Sequence, residues 1–171
     1  GQSGSDASLW ADSVFATLSY EQKIGQLFMV DAYSDRDSAH QSSIENLIVN
    51  YHIGGIIFFK GGPVRQVNLT NRYQSLSCLP LLMGIDGEWG LSMRLDSTMR
   101  FPRQMTLGAG SGPPAIYRMG EEIARQCKRM GIHLNFAPVA DINNNPFNPV
   151  INSRSFGENR EQVAELASAY M

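Results

Sequence analysis

Apolar positions recur along this chain in two rhythms that take turns. Leu9, Trp10, Val14 and Phe15 share one side of a first segment, which predicts a helix from about Ser8 to Leu18 whose job is packing. A second helix begins at Ser19, where Ser19 and Gln22 have the spacing of a capping box and Ile24, Leu27 and Phe28 make the apolar stripe. Met29-Val30-Asp31-Ala32 then reads as a first strand. From Gln41 to Tyr51, Ile44, Leu47 and Ile48 return at helical spacing, and Ile53-Gly54-Gly55 ends that helix. Ile56-Ile57-Phe58-Phe59 is an uninterrupted apolar run, the pattern of a strand buried on both faces and hence of a parallel sheet. The unit repeats as a turn at Gly61-Gly62-Pro63, a helix over Pro63 to Leu76 and a strand over Leu79 to Ile85. After an irregular stretch from Asp86 to Gly112, Pro113-Pro114 opens a helix with Ile116, Met119, Ile123, Cys127 and Met130 on one stripe and Gly131 as its stop. Ile132 to Val139 is the fourth predicted strand. A loop rich in Asn and Pro follows, and Glu161 to Tyr170 forms the last helix around Val163, Leu166 and Ala167.

Strands alternating with helices imply right-handed βαβ crossovers and a parallel sheet. A doubly wound sheet and half of a TIM barrel both satisfy that order, and the strand ends choose between them. No Gly-rich phosphate loop joins the first strand to a helix, and Gly54-Gly55 precede a strand, which weakens the dinucleotide reading. The third strand ends in Asp86 and the fourth in Asp141, two polar groups on loops of one sheet edge, as in a barrel. The expected fold is therefore α/β of the (β/α)8 TIM-barrel type, its amino-terminal half, with about four βα units over residues 8–171. Residues 1–7, which open on Gly1-Gln2-Ser3-Gly4-Ser5, read as a flexible leader or a cloning scar. A processed secreted protein and an excised piece would both begin this way.

Composition narrows the partners. With 171 residues and 43% hydrophobic content the chain can bury one sizeable core. A formal charge of −2, with 14 Lys and Arg scattered along the chain, leaves no electrostatic footprint for nucleic acid. No apolar run approaches the roughly 20 residues needed to span a bilayer. Cys78 and Cys127 show neither metal-ligand spacing nor a disulfide framework and read as buried thiols. No metal or cofactor is implied. His40 and His52 flank a predicted helix and His133 sits inside a predicted strand, so all three read as surface or satisfied core histidines. Asn68-Leu69-Thr70 has the glycosylation pattern but lies within a predicted helix.

Two stretches carry candidate chemistry. In Gly84-Ile85-Asp86-Gly87-Glu88-Trp89-Gly90-Leu91-Ser92-Met93-Arg94, a carboxylate at a strand end stands among glycines, a tryptophan and an arginine. Sugars offer vicinal hydroxyls to a carboxylate and an apolar face to an aromatic ring, so a carbohydrate pocket fits. The alternative is that Asp86 caps a turn and Trp89 belongs to the core. The second stretch runs from Ile132 through Asp141 into a turn-forming Asn/Pro loop that delivers a single cation, Arg154, among small residues.

Asp86-Gly87-Glu88-Trp89-Gly90, then Phe136-Ala137-Pro138-Val139-Ala140-Asp141 and Ser153-Arg154-Ser155-Phe156-Gly157, together resemble the amino-terminal barrel of family-three glycoside hydrolases. Lys23-Ile24-Gly25-Gln26-Leu27-Phe28 and Gly54-Gly55-Ile56-Ile57-Phe58 resemble its opening. The Glu88 motif and the Asn145-Pro146 to Ile151 loop are more similar to the β-N-acetylhexosaminidase branch than to the β-glucosidase branch. The resemblance implies a retaining exo-acting glycosidase that removes terminal β-linked N-acetylglucosamine. It assigns Asp86 to gripping sugar hydroxyls and Arg94 and Arg154 to lining the same subsite, and it gives Asp141 a supporting role, orienting Arg154 or another pocket group. Leu91 departs from members that carry an arginine there.

A retaining glycosidase also needs a nucleophilic carboxylate and an acid/base. In the family these are an aspartate on a late strand and, in the hexosaminidase branch, a histidine after the fifth strand. The sequence ends at Met171, before either, so no catalytic residue is expected in it and the chain alone is expected to be inactive. Half a barrel would leave two sheet edges and apolar faces bare, which predicts self-association or pairing with a carboxyl-terminal half. A β-glucosidase-type member, a non-catalytic sugar-binding module and an inert truncation are the alternatives. The family and the leader suggest an extracytoplasmic location, periplasmic or secreted.

Overall fold

The computed structural model of the chain describes residues 3–171, with side chains from Asp6 onward. Eleven regular elements follow in order: α1 (Ser3–Thr17), α2 (Tyr20–Gly25), β1 (Met29–Tyr33), α3 (Ser38–Tyr51), β2 (Gly55–Lys60), α4 (Pro63–Leu76), β3 (Leu82–Ile85), α5 (Gln104–Gly108), α6 (Pro113–Arg129), β4 (Leu134–Asn135) and α7 (Arg160–Tyr170). The four strands form one sheet in the order β1-β2-β3-β4, every pair parallel. Sequential parallel neighbours joined by helices make up four βα units, half of a (β/α)8 barrel.

Local sequence chemistry sets the element ends. The Ser19 hydroxyl accepts from the Gln22 N–H and the Gln22 side chain accepts from the Ser19 N–H, so the capping box is complete. Asp37 caps α3 by accepting from the His40 N–H, and Asn159 caps α7 by accepting from Gln162. Pro63 and Pro113 each open a helix. Gly131, at φ +69°, stops the chain after α6 in the left-handed region that glycine adopts freely.

Alternate strand residues face the helices. Ala32, Ile56, Phe58 and Met83 are buried and pack with Ile44 and Ile48 of α3 and Leu69 and Tyr73 of α4. Ile85, Ile116, Ile123, Cys127, Phe156, Val163, Leu166 and Tyr170 build a second cluster under α6 and α7. The opposite face of the sheet is open. There Gly84 leaves room for Met29 and Phe136, whose atoms lie 3.3 and 3.0 Å from where a Cβ would stand. Leu82, Leu134 and Phe136 on that face are 43%, 39% and 52% exposed, as expected of a barrel interior lined on one side.

Several expectations need correction. The first helix starts at Ser3 rather than Ser8, so Ser3 to Ala7 are helical; Gly1 and Gln2 lie outside the described residues. Leu9, Trp10 and Phe15 are exposed, so α1 does not pack as its apolar side suggested, and Ile24, Leu27 and Phe28 are exposed too. β3 begins only at Leu82, and β4 shrinks to Leu134–Asn135 because its neighbour β3 ends at Ile85 and Pro138 has no N–H to donate. Cys127 is buried as expected, but Cys78 is exposed, in the turn between α4 and β3. Asn68 sits inside α4 with Thr70 buried against the core.

Candidate functional site

The carboxyl ends of the strands converge on two ion pairs built from one short loop. Asp86 follows β3 directly. One residue on, the Gly87 N–H donates to Asn135 Oδ1 of β4 at 2.9 Å, and the Tyr170 hydroxyl of α7 donates to the Gly87 carbonyl at 3.3 Å. These contacts tie the loop to β4 and α7, and burial pushes the Tyr170 hydroxyl well above its ordinary range. The Glu88 carbonyl accepts from Gln104 Nε2 of α5 at 2.5 Å, and the Glu88 N–H points at Met93 Sδ, 3.4 Å away. The loop backbone is thus held from four sides.

Asp86 carries the first pair. The Arg94 Nε donates to the Asp86 carbonyl at 2.8 Å and its Nη2 donates to the Asp86 carboxylate, at Oδ2. The same guanidinium lies 4.6 Å from the centroid of Phe59, which stacks against Tyr33 at 6.3 Å, so the ends of β1 and β2 wall the site. Asp86 and Arg94 keep 25% and 21% of their side chains exposed, enough for a ligand to reach them.

Glu88 carries the second pair, and it is 1% exposed. Arg154 Nε donates to both carboxylate oxygens at 3.0 Å, Nη2 donates to Oε1 at 2.6 Å, and Nη1 reaches the Val150 carbonyl at 3.3 Å. Arg154 is delivered by a 3₁₀ turn, Asn152–Arg154, at the end of the Asn/Pro loop. That loop is stiffened by Asn145 accepting from Phe147 and Asn148 accepting from Val150 and Ile151. Ser155, fully buried, donates to the Asp141 carbonyl at 2.5 Å and closes the loop on itself. The hydrogen bonds to Glu88 raise the pKa of Arg154, and the charges of Glu88, Asp86 and Asp141 add to that. Beside the pair, Arg103 covers Trp89 at 4.6 Å and donates to Ser153 Oγ at 2.8 Å.

Asp86, Arg94 and Arg154 are therefore gathered on one sheet edge. Asp141 is exposed and joins them through its charge on Arg154 and its carbonyl on Ser155. The orienting contact expected of Asp141 is made by Glu88, whose role in the site the sequence motif named only as part of a family pattern. Its signal was there: an acidic residue two positions after Asp86, on a loop rich in glycine. The three histidines serve the scaffold. His40 Nε2 accepts from the Tyr33 N–H at 3.2 Å, His133 Nδ1 accepts from the Met83 N–H at 3.0 Å, and His52 caps α3 with Nδ1 3.8 Å from Cys78 Sγ. Among the described residues there is no group of three His, Cys, Asp or Glu that could hold a metal, and no helix long and apolar enough to cross a membrane.

Two surface grooves open away from this edge. One, of about 670 Å³, runs beside β4 along Ile132, His133, Cys127 and Tyr170. The other, of about 530 Å³, lies beside β1 between Ile24, Phe28, Val30, Leu47 and Ile53. They flank the two edge strands, β1 and β4, on whose open sides a closed barrel would place neighbours.

The beta-hexosaminidase A of Pseudoalteromonas piscicida is 33% identical over 188 residues, covering 95% of this chain and 31% of that protein. A glycoside hydrolase family 3 beta-N-acetylglucosaminidase from Paenibacillus superposes with a TM-score of 0.80 at 35% identity, over 90% of this chain and 30% of that one. NagZ from Neisseria gonorrhoeae, solved in complex with N-trifluoroacetyl-D-glucosamine, gives a TM-score of 0.68 at 28% identity over 83% of this chain and 45% of its own. The chain spans about a third of the length of the curated relatives it matches. Residues 19–171 match the family described as glycosyl hydrolase family 3 N terminal domain, and the chain belongs to that family.

Proposed function

We propose that the protein carrying this domain is a retaining exo-β-N-acetylhexosaminidase that releases terminal N-acetylglucosamine, with this chain as one wall of the sugar subsite. The observation that carries the reading is the pairing of Asp86 with Arg94 and of Glu88 with Arg154 on a single strand-end loop in a member of this family. Arg94 holds Asp86 at Oδ2, which leaves Oδ1 to accept a sugar hydroxyl. Arg154 keeps terminal N–H bonds beyond those spent on Glu88 and Val150, and a guanidinium has five to offer. The names of the Pseudoalteromonas, Paenibacillus and Neisseria proteins, and the acylated glucosamine bound to the last, support N-acetylglucosamine as the sugar. The nucleophile and the acid/base come from other parts of the parent protein, which also cover the β1 and β4 edges and the exposed Leu82, Leu134 and Phe136.

A second specificity has one observation behind it: the Cellulomonas fimi relative, 26% identical, is named beta-N-acetylglucosaminidase/beta-glucosidase. The test is hydrolysis of chromogenic β-N-acetylglucosaminide and β-glucoside by this chain, by the rest of the parent, and by the two mixed. Silence of each part with activity on mixing, greater on the N-acetylglucosaminide, is the expected result. Activity of this chain alone would overturn the division of labour, and a preference for the glucoside would overturn the sugar.

A further inference from the structure

We infer that Glu88 is a positioning residue, whose carboxylate fixes the guanidinium of Arg154 and keeps it from closing on Asp86. The inference rests on the functional reading above for its meaning in catalysis, though not for its geometry. Glu88 cannot meet a ligand, because it is 1% exposed and both its oxygens are occupied by Arg154. What it can do is hold the arginine edge-on. Nε and one Nη2 hydrogen are committed to Glu88 and one Nη1 hydrogen to the Val150 carbonyl. One N–H remains on each terminal nitrogen, a spacing suited to a pair of oxygens on one sugar ring.

The charge pattern says why such a hold is needed. The charges of Asp86 and Asp141 both act on Arg154, so without Glu88 the arginine is left to the attraction of two other carboxylates. A guanidinium freed from Glu88 would swing to them and occupy the oxygens that Asp86 offers to a sugar. The mounting of Glu88 is correspondingly rigid. Gln104, 0% exposed, anchors its carbonyl, and Gly87 before it is pinned by Asn135 and Tyr170. Elements from β3, β4, α5 and α7 thus fix one carboxylate that touches almost no solvent, and that carboxylate fixes one arginine that does.

The test uses the full-length parent protein and a double-mutant cycle. Glu88→Gln, Arg154→Lys and the double variant are assayed for kcat/KM on chromogenic β-N-acetylglucosaminide, with thermal midpoints measured alongside to show that each is folded. If Glu88 acts through Arg154, Glu88→Gln lowers kcat/KM about a hundredfold in the wild-type background and less than about threefold when Arg154 is already lysine, as misplacement of a positioning group and coupling of touching residues predict. Glu88→Asp, which keeps the charge, restores part of the loss and replaces Glu88→Gln in the cycle should that variant fail to fold. Losses that multiply independently would overturn the inference. A crystal structure of the Glu88→Gln parent reads the same point without activity: Arg154 is expected to leave its place toward Asp86, and an unmoved guanidinium would overturn the inference. A wild-type parent that cleaves neither sugar would instead fail the functional reading, and the crystal structure then decides the positioning by itself.

Discussion

Replacing Arg154 with methionine should reveal how much of the domain's stability hangs on one buried charge. Three N–H···O contacts of 2.6 to 3.0 Å join Arg154 to a carboxylate that is 1% exposed. Removing the cation strands the anion, and breaking a buried pair from one side costs about 3–5 kcal/mol. The arginine is 32% exposed, so water can follow into part of the vacated space, and the cost should sit near the lower end, about 3 kcal/mol. At about 2–4 °C per kcal/mol for a domain of this size, the thermal midpoint at pH 7 should fall by about 6–12 °C.

A second substitution sharpens that expectation. Removing both charges, as in Arg154→Met with Glu88→Leu, should recover much of the loss, because nothing charged is left buried. Scanning calorimetry of the three proteins at pH 7 measures this. An Arg154→Met midpoint within about 2 °C of wild type, or a double variant no more stable than the single one, would show that Glu88 is hydrated and the pair superficial.

Other expectations follow from the same geometry. Asp86→Asn should cost about 1 kcal/mol or less in stability, since Asp86 and Arg94 stay partly exposed, while lowering the proposed affinity of the parent for N-acetylglucosamine about ten- to hundredfold through loss of charge-assisted hydrogen bonds; calorimetric titration separates the two effects. Of the two thiols, Cys78 should label with a maleimide at pH 8 and Cys127 should not until the chain unfolds, because burial pushes the Cys127 thiol up to about 11; mass spectrometry counts the adducts.

Much of the architecture was legible because it is written in local chemistry. The helix over Pro63–Leu76 has the ends that its Pro and its apolar spacing imply, and the Ser19 capping box makes both of its bonds. The apolar run Ile56 to Phe59 is a central strand because it has a parallel neighbour on each side. What sequence spacing overstated is what depends on neighbours. The run from Ile132 to Val139 has the composition of a long strand, yet only Leu134–Asn135 pair, since β3 beside it ends at Ile85 and Pro138 has no N–H to give a ladder. Leu9, Trp10 and Phe15 make an apolar side that stays more than half exposed, with the Lys23 ammonium 4.0 Å over the Phe15 ring. Cys78 is as apolar as Cys127, and only its place in a surface turn leaves it bare.

The candidate site divides along the same line. Asp86, Arg94 and Arg154 could be found by position, since strand-end loops collect at one edge whatever their detailed shape. Which carboxylate serves which arginine could not, because that depends on burial rather than on residue type. Asp86 and Glu88 lie two residues apart on one loop, and each is matched to a single arginine. One keeps 25% of its side chain open to solvent and the other 1%. An exposed carboxylate can exchange water for a ligand's hydroxyls at little cost, whereas a buried one is committed to its partner, since leaving it unpaired is so expensive. Burial thus separates two acidic residues of similar chemistry into one that can bind and one that can only hold, and it makes the arginine on the buried residue the more firmly placed of the two.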